Sequence, residues 1–487
     1  MATTYKKLNL REQILLRPDT YIGAATPEPM EMYTWDLISP KFTLQTVNFS
    51  RGLMRLFEEI YENAIDQAVR SNSTDRIDIM FNNNGYISVK NNTGAENIPI
   101  QLNEYGTYIP QMIFCELLTS SNYDDDVKRQ VAGRNGFGAK LANIFSKHFI
   151  IDIVTNGLYY HQECFNNMSD IHNPVITNTR DKNYTMITFL PDYEYFKINP
   201  NDMLPLFYKK CCDISVVLNS KNRRMSDAVT VTVNNKDINI KKFEQYVSYY
   251  TDETPAIHID LNEKVCIAIA RNDDFLSIGF VNGVSCNSGA HVNSIINSIT
   301  DSVKKVKKYA DIKPAIIKNC MAIFIVATVE NPTFSTQTKE NLVSPRIRYT
   351  LPETFLKKVN NLIKTSISDQ VEMEQRKVLK TINKNVKRSS KIYDIPKLMD
   401  AGKAGTSESH LCKLFICEGD SAAGLGRILL SQTFQYNGLF PIRGRLLNVR
   451  SASAKQIADN AEVQALMRIL GLKIGERANR NNLRYED

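Results

Sequence analysis

Glu59, Asn63, Asp66 and Gln67 fall three or four residues apart in a stretch, Arg51 to Arg70, where the apolar Phe57, Ile60, Ala64 and Ala68 recur at similar intervals. That spacing predicts a helix with a polar stripe beside an apolar one. A carboxylate on such a stripe can orient and deprotonate an attacking water, and an amide oxygen one turn on can hold Mg2+. Taken alone, a polar stripe is more often a solvated face. Downstream, Gly133-Arg134-Asn135-Gly136-Phe137-Gly138-Ala139-Lys140 precedes the helical pattern Leu141 to Phe145. Glycines before a helix let backbone N–H groups approach phosphates, and the helix start favours negative charge. Between these stretches, Thr119-Ser120-Ser121-Asn122 offers hydroxyls and an amide suited to phosphate or ribose, although a helix cap is the commoner use of such a run.

These residues need elements to place them. Ile77 to Phe81 and Tyr86 to Val89 read as strands, and Asn82-Asn83-Asn84-Gly85 between them has hairpin chemistry, so an α+β layer with antiparallel neighbours is expected. A second two-layer domain is expected from near Thr251, where Ala256 to Leu261, Val265 to Ala270 and Leu276 to Val281 lead into a Lys-rich helical stretch. Phe355 to Lys387 contains no proline or glycine and suits a long helical strut. Lys391 to His410, with Pro396, Gly402 and Gly405, reads as a linker. Beyond it, Leu411 to Cys417 reads as a buried strand ending in Glu418-Gly419-Asp420-Ser421.

The 487 residues, 43% of them hydrophobic, allow roughly two to four domains. Apolar runs such as Met321 to Ala327 are strand length, well short of the ~20 residues of a membrane span, and the opening residues predict no signal peptide. An intracellular site of action is therefore expected. Nine cysteines form no C-x-x-C pair, which argues against a disulfide framework or zinc cluster. The net charge of +8, with basic clusters at Lys304, Lys305, Lys307 and Lys308 and from Arg376 to Lys391, fits a nucleic-acid partner without requiring one.

Taken together, the Glu59 and Asn63 helix, the Ser120-Ser121-Asn122 segment, the Gly133 to Lys140 loop and the opening Ile14-Leu15-Leu16-Arg17-Pro18-Asp19-Thr20-Tyr21-Ile22-Gly23 resemble the GHKL ATPase module of type IIA DNA topoisomerases. The resemblance implies that Glu59 activates water, Asn63 binds Mg2+, Asn92 contacts ATP near its adenine, Ser120, Ser121 and Asn122 meet ribose and phosphates, and the backbone from Gly133 through Arg134, Asn135, Gly136, Phe137, Gly138 and Ala139 to Lys140 wraps the triphosphate. Asn92-Thr93-Gly94-Ala95-Glu96-Asn97-Ile98-Pro99 departs from the family, whose loop is shorter and has a second glycine. Asn331 to Glu340 resembles the loop by which the family's second domain reaches the γ-phosphate, which gives Lys339 and Gln337 the task of stabilising transferred charge. Phe280-Val281-Asn282-Gly283 and Gly289-Ala290-His291-Val292 also look like that transducer domain, with His291 structural.

Glu418-Gly419-Asp420-Ser421-Ala422 resembles the first TOPRIM motif, with Glu418 helping to hold Mg2+, and Pro441 to Val449 is similar to the segment that follows it, with Arg443 and Arg445 on DNA phosphates. No Asp-x-Asp motif or cleavage-tyrosine domain follows, and the layout resembles the large subunit of T-even phage enzymes, whose TOPRIM domain is divided between polypeptides. A truncated eukaryotic or giant-virus enzyme is the alternative. The implied fold is α+β multidomain: a GHKL (Bergerat) sandwich over 1–250, an S5-like transducer over 251–395 with a long C-terminal helix, and the first part of an α/β TOPRIM domain over 396–487. The implied function is an ATP-hydrolysing N-gate subunit that dimerises on ATP, captures double-stranded DNA and needs a DNA-cleaving partner subunit, with no membrane. An ATP-operated GHKL clamp or chaperone-like module is the rival reading.

Overall fold

The computed structural model describes residues 7–39, 41–71, 74–94, 97–119, 138–220, 228–238, 240, 242–251, 256–262, 264–336, 338–384, 386, 391–444, 446–450, 452, 454–478 and 482–486. Two compact units divide the chain, residues 1–364 and 365–487.

In the first unit, α1 (Leu10–Leu16) and α2 (Pro18–Tyr21) precede a hairpin of β1 (Glu28–Thr34) and β2 (Thr43–Phe49). α3 (Arg51–Ser71) follows at once. Ser50 sets its start, since its Oγ accepts from the Leu53 amide at 3.3 Å and satisfies a first-turn donor that has no partner within the helix. Next come β3 (Arg76–Phe81), β4 (Ile87–Asn92), α4 (Ile109–Cys115), α5 (Gly138–Ile144), β5 (Ser146–Thr155), β6 (Leu158–Phe165), β7 (Asp170–Ile171), β8 (Val175–Asn178) and β9 (Tyr184–Pro191). The run continues through α6 (Tyr193–Phe196), α7 (Leu204–Asn219), β10 (Thr230–Val233), β11 (Lys236–Asp237) and α8 (Phe243–Ser248). Among the described residues β3 to β11 make one nine-stranded sheet in the order β11-β10-β3-β4-β9-β5-β6-β7, with β8 pairing β6. Burial alternates along β4 and β6, as it does when one sheet face is packed and the other wet.

Helix α3 lies on the packed face. Its stripe of Leu53, Phe57, Ile60, Ala64 and Ala68 is buried, each large side chain contributing about 1.5–3 kcal/mol. The Phe57 ring sits 5.5 Å from Phe81 of β3 and 5.1 Å from Phe207 of α7, centroid to centroid. β3 and β4 are antiparallel neighbours, as the Asn82 to Gly85 turn predicts.

A second α+β fold in the same unit comprises β12 (Ile257–Asn262), β13 (Val265–Arg271), β14 (Leu276–Val281), β15 (Val284–Ser285), β16 (Ser288–Gly289), α9 (Ala290–Lys304), α10 (Pro314–Lys318), β17 (Met321–Ala327), β18 (Thr333–Phe334) and β19 (Asn341–Ser344). Its five-stranded sheet runs β12-β13-β17-β14-β15, and β16-β19-β18 form a smaller one. The uninterrupted apolar run of β17 is buried at every position, because this strand is central and covered on both faces. Gly283, at φ +87° in the β14–β15 turn, abuts α3: a Cβ there would come within 2.9 Å of the Ile65 Cγ2. α11 (Glu353–Lys384) follows, close to the expected strut.

In the second unit β20 (Lys413–Glu418) and β21 (Asn437–Ile442) pair in parallel around the crossover helix α12 (Gly419–Leu430), followed by α13 (Ala454–Asp459) and α14 (Ala461–Leu470). Two expectations need correction. The stretch Lys391 to His410 is no linker, since Ile395, Ala401 and Ala404 enter the core with Phe440 and Ile469, and Met399 exchanges backbone hydrogen bonds with Leu439 at 2.9 and 2.8 Å. Its glycine and proline turn a packed chain. The strand expected over Leu411 to Cys417 exists, yet Phe415 and Ile416 are each 46% exposed, because among the described residues its sheet has only β21 as a second strand. No helix among the described residues is long and apolar enough to cross a membrane.

Candidate nucleotide site

Helix α3 carries a buried charge network. Arg55 is wholly buried; its Nη1 and Nη2 lie 2.9 and 3.3 Å from the two Glu62 oxygens, its Nη1 lies 3.4 Å from Glu58, and it pairs with Glu59 one turn on. Glu58 also meets Arg51 at 2.9 Å and Lys210 of α7 at 3.0 Å. Residues three, four and seven apart share a helix face, so the spacing of Arg51, Arg55, Glu58, Glu59 and Glu62 brings them together. Burial alone would push the Arg55 pKa down, but Glu59, Glu62 and Glu58 raise it well above its ordinary value. Burial likewise pushes Glu58 and Glu62 up, and their cations, led by Arg51 and Arg55 respectively, outweigh it and hold both below the usual carboxylate range.

The loop before β19 completes the network. Lys339 Nζ lies 2.9 Å from Glu62 Oε2, Arg51 donates to the Thr338 carbonyl at 3.1 Å, and Arg51 Nε lies 2.8 Å from Glu340. Arg51, Arg55, Lys210 and Lys339 thus face Glu58, Glu59, Glu62 and Glu340. Glu340 is the exposed member, at 61%, and for the rest it is the pairing of opposite charges that makes their burial tolerable.

Glu59, itself buried, lies against the start of α5, where a Cβ on Gly138 would collide with its Oε2. Asn63 is exposed one turn along. Ala139 is buried, and Lys140 Nζ donates to the Thr119 carbonyl and hydroxyl, both at 2.6 Å. Burial lowers the Lys140 pKa to about 8. Lys140 thereby ties residue 119 to residue 140 across the segment that carries the remaining expected contacts. Ser120, Ser121, Asn122, Gly133, Arg134, Asn135, Gly136 and Phe137 lie outside the described residues, as do Gln337 and Arg445.

Asn92, expected near adenine, accepts at Oδ1 from the amides of Asp75 and Arg76 at 3.2 and 3.0 Å, and so fastens the end of β4 to the start of β3. Asn97 donates to the Val154 and Tyr184 carbonyls at 2.9 and 3.1 Å, which anchors the departing loop. Glu418 and Arg443 belong to the second unit, Glu418 at the end of β20 and Arg443 exposed just after β21. Among the described residues no group of three or more His, Cys, Asp or Glu is placed to hold a metal. Sequence reading missed Arg51, Arg55, Glu58, Glu62 and Lys210. The α3 charges recur at i, i+4 and i+7, a spacing that puts them on one face but does not tell a buried charge from a solvated one, and Lys210 comes from α7.

The first unit fits a Mg2+–triphosphate: a buried carboxylate against a glycine that leaves no Cβ in the way, an exposed amide one turn along, and Lys140 and Lys339 as cations. The α+β sandwich followed by a second α+β fold has the architecture of a GHKL-type ATPase module with its transducer. A DNA gyrase B family profile matches residues 225–393. DNA topoisomerase 2 of Candida glabrata is 38% identical over 99% of this chain and 36% of its own length. The corresponding protein of Acanthamoeba polyphaga mimivirus is 36% identical over 97% of this chain and 39% of its own. The crystal structure of the ATPase region of Saccharomyces cerevisiae topoisomerase II aligns with a TM-score of 0.70 at 36% identity, covering 75% of this chain and 98% of that one. The chain belongs to the type II DNA topoisomerase family, matching its ATPase region. It spans little more than a third of the length of these curated relatives.

Proposed function

We propose that this chain binds and hydrolyses ATP as the N-gate of a type II topoisomerase that drives one DNA duplex through another. The observation that carries the reading is the convergence on α3 of Glu59, packed against Gly138, with Lys339 from the second fold, tied to Glu62 at 2.9 Å. Glu59 acts as general base, its carboxylate oriented by Arg55, and takes a proton from the attacking water. Asn63 holds Mg2+, which when bound supplies electrostatic stabilisation of phosphate charge. Lys339 and Gln337 stabilise the charge that develops on the transferred phosphoryl group. Asn92, Ser120, Ser121, Asn122 and the backbone from Gly133 to Lys140 hold the nucleotide.

In this reading residues 1–250 are the ATPase domain, 251–395 the transducer and 396–487 part of a TOPRIM domain divided between polypeptides, as in T-even phage enzymes. The parallel β20–α12–β21 unit, with Glu418 where the strand meets the helix, supports the TOPRIM assignment. Glu418 then contributes to a second Mg2+ site, Arg443 and Arg445 contact DNA phosphates, and a DNA-cleaving partner supplies the rest. ATP dimerises two copies, and the protein acts in the compartment that holds its DNA, whether host cytoplasm, nucleus or viral factory.

Turnover of ATP by the wild-type chain beside Glu59→Ala tests the mechanism. A loss of ~10²–10⁴-fold with analogue-induced dimerisation retained is expected. Equal turnover in both proteins removes Glu59 from the reaction.

A further inference from the structure

Glu62 has no part in the mechanism above, yet it is buried and doubly engaged. Arg55 grips it with both guanidinium nitrogens, and Lys339, 277 residues away in sequence, donates to it at 2.9 Å. The Lys339 side chain is 9% exposed, and its backbone sits at φ +58°, a left-handed conformation that non-glycine residues seldom adopt. A carboxylate thus holds the lysine and its loop on α3.

We propose that Glu62 is a positioning residue that competes with the terminal phosphate for Lys339 and so sets how strongly the site prefers a triphosphate to a diphosphate; this rests on the ATP reading above. A triphosphate must draw Lys339 away from Glu62, whereas a diphosphate leaves the pair intact. Glu62 therefore opposes triphosphate binding selectively. Its own burial survives the exchange, because Arg55 stays bound to both oxygens. In Glu62→Gln the amide oxygen can still accept from Lys339, but the ion pair becomes a bond between an ammonium and a neutral acceptor, and its mutual charge attraction is lost.

The test is calorimetric titration of a nonhydrolysable ATP analogue and of ADP into wild type, Glu62→Gln, Lys339→Ala and the double variant, with analogue-induced dimerisation followed by sedimentation. Glu62→Gln should tighten analogue binding about tenfold, leave ADP affinity unchanged and lower the analogue concentration that half-dimerises the protein. In the Lys339→Ala background the same substitution should leave discrimination as it is. Should Glu62→Gln fail to fold, Glu62→Asp keeps the charge on Arg55 while shortening the reach to Lys339, and it should shift discrimination in the same direction. Equal shifts for both nucleotides, weakened analogue binding, or an effect that persists without Lys339 would overturn the proposal. Wild type binding neither nucleotide sinks the ATP reading together with this proposal, whereas wild-type binding with unaltered discrimination in Glu62→Gln sinks this proposal alone.

Discussion

Arg55 is fully buried with Glu58, Glu59 and Glu62 around it, and removing its charge would strand carboxylates that have lost most of their compensation. Breaking a buried pair by deleting one partner costs about 3–5 kcal/mol, so Arg55→Leu should lose that much in urea unfolding. Arg55→Lys should recover only part of the loss, because an ammonium cannot grip Glu62 at both oxygens as the planar fork does. A loss under about 1 kcal/mol in Arg55→Leu would mean that the carboxylates are solvated and do not depend on Arg55. Glu59 and Asn63 stood out in the sequence because a helical stripe of polar residues is visible from spacing. Arg55 and Glu62 share that helix, but nothing in their spacing distinguishes a buried charge pair from a solvated one.

At the scale of elements, α9 begins at a buried histidine. His291 Nε2 donates to the Cys286 carbonyl at 2.9 Å, holding the helix start against the strand end that precedes it. Burial lowers its pKa from 6.5 to about 4. In that interval the unfolded chain binds a proton that the folded chain refuses, so stability is complete above pH 6.5 and falls as the pH drops towards 4. The expected loss is about 3 kcal/mol, and His291→Gln should flatten that limb of a stability profile measured from pH 4 to 8. An unchanged profile would show that the folded protein admits the proton. Helix α3, strand β17 and the Asn82 to Gly85 hairpin were legible because each has a period or turn chemistry of its own. The packed course of residues 391–410 was not, since glycine, proline and serine serve equally in a free linker and in a chain that turns within a core.

At the scale of the whole molecule, α12 exposes Leu425, Ile428 and Leu429 at 63%, 72% and 70%, and β20 adds Phe415 and Ile416. Exposed apolar residues at i, i+3 and i+4 share one helix face and mark association surfaces, and in the proposed reading the DNA-cleaving partner covers that face of α12. Leu429→Glu should leave unfolding within about 0.5 kcal/mol of wild type, as surface changes do, while reducing ATP-dependent relaxation when the partner is added. Full relaxation by this variant would place the partner elsewhere.

By itself the sequence determined the α+β class, the helix that carries Glu59 and Asn63, the strand length of Met321 to Ala327, and the motifs that lead to the topoisomerase family. Each depends on residues close together in the chain, where side-chain period and turn chemistry act directly. Only the tertiary structure decided that Lys339 meets Glu62, that Gly138 makes room for Glu59, that Lys140 spans back to Thr119, and that β20 lies open on its surface. Those outcomes depend on which distant segments exclude water together. The strength of a charge pair, or the burial of a strand, is set by that shared environment and not by the residues' own order.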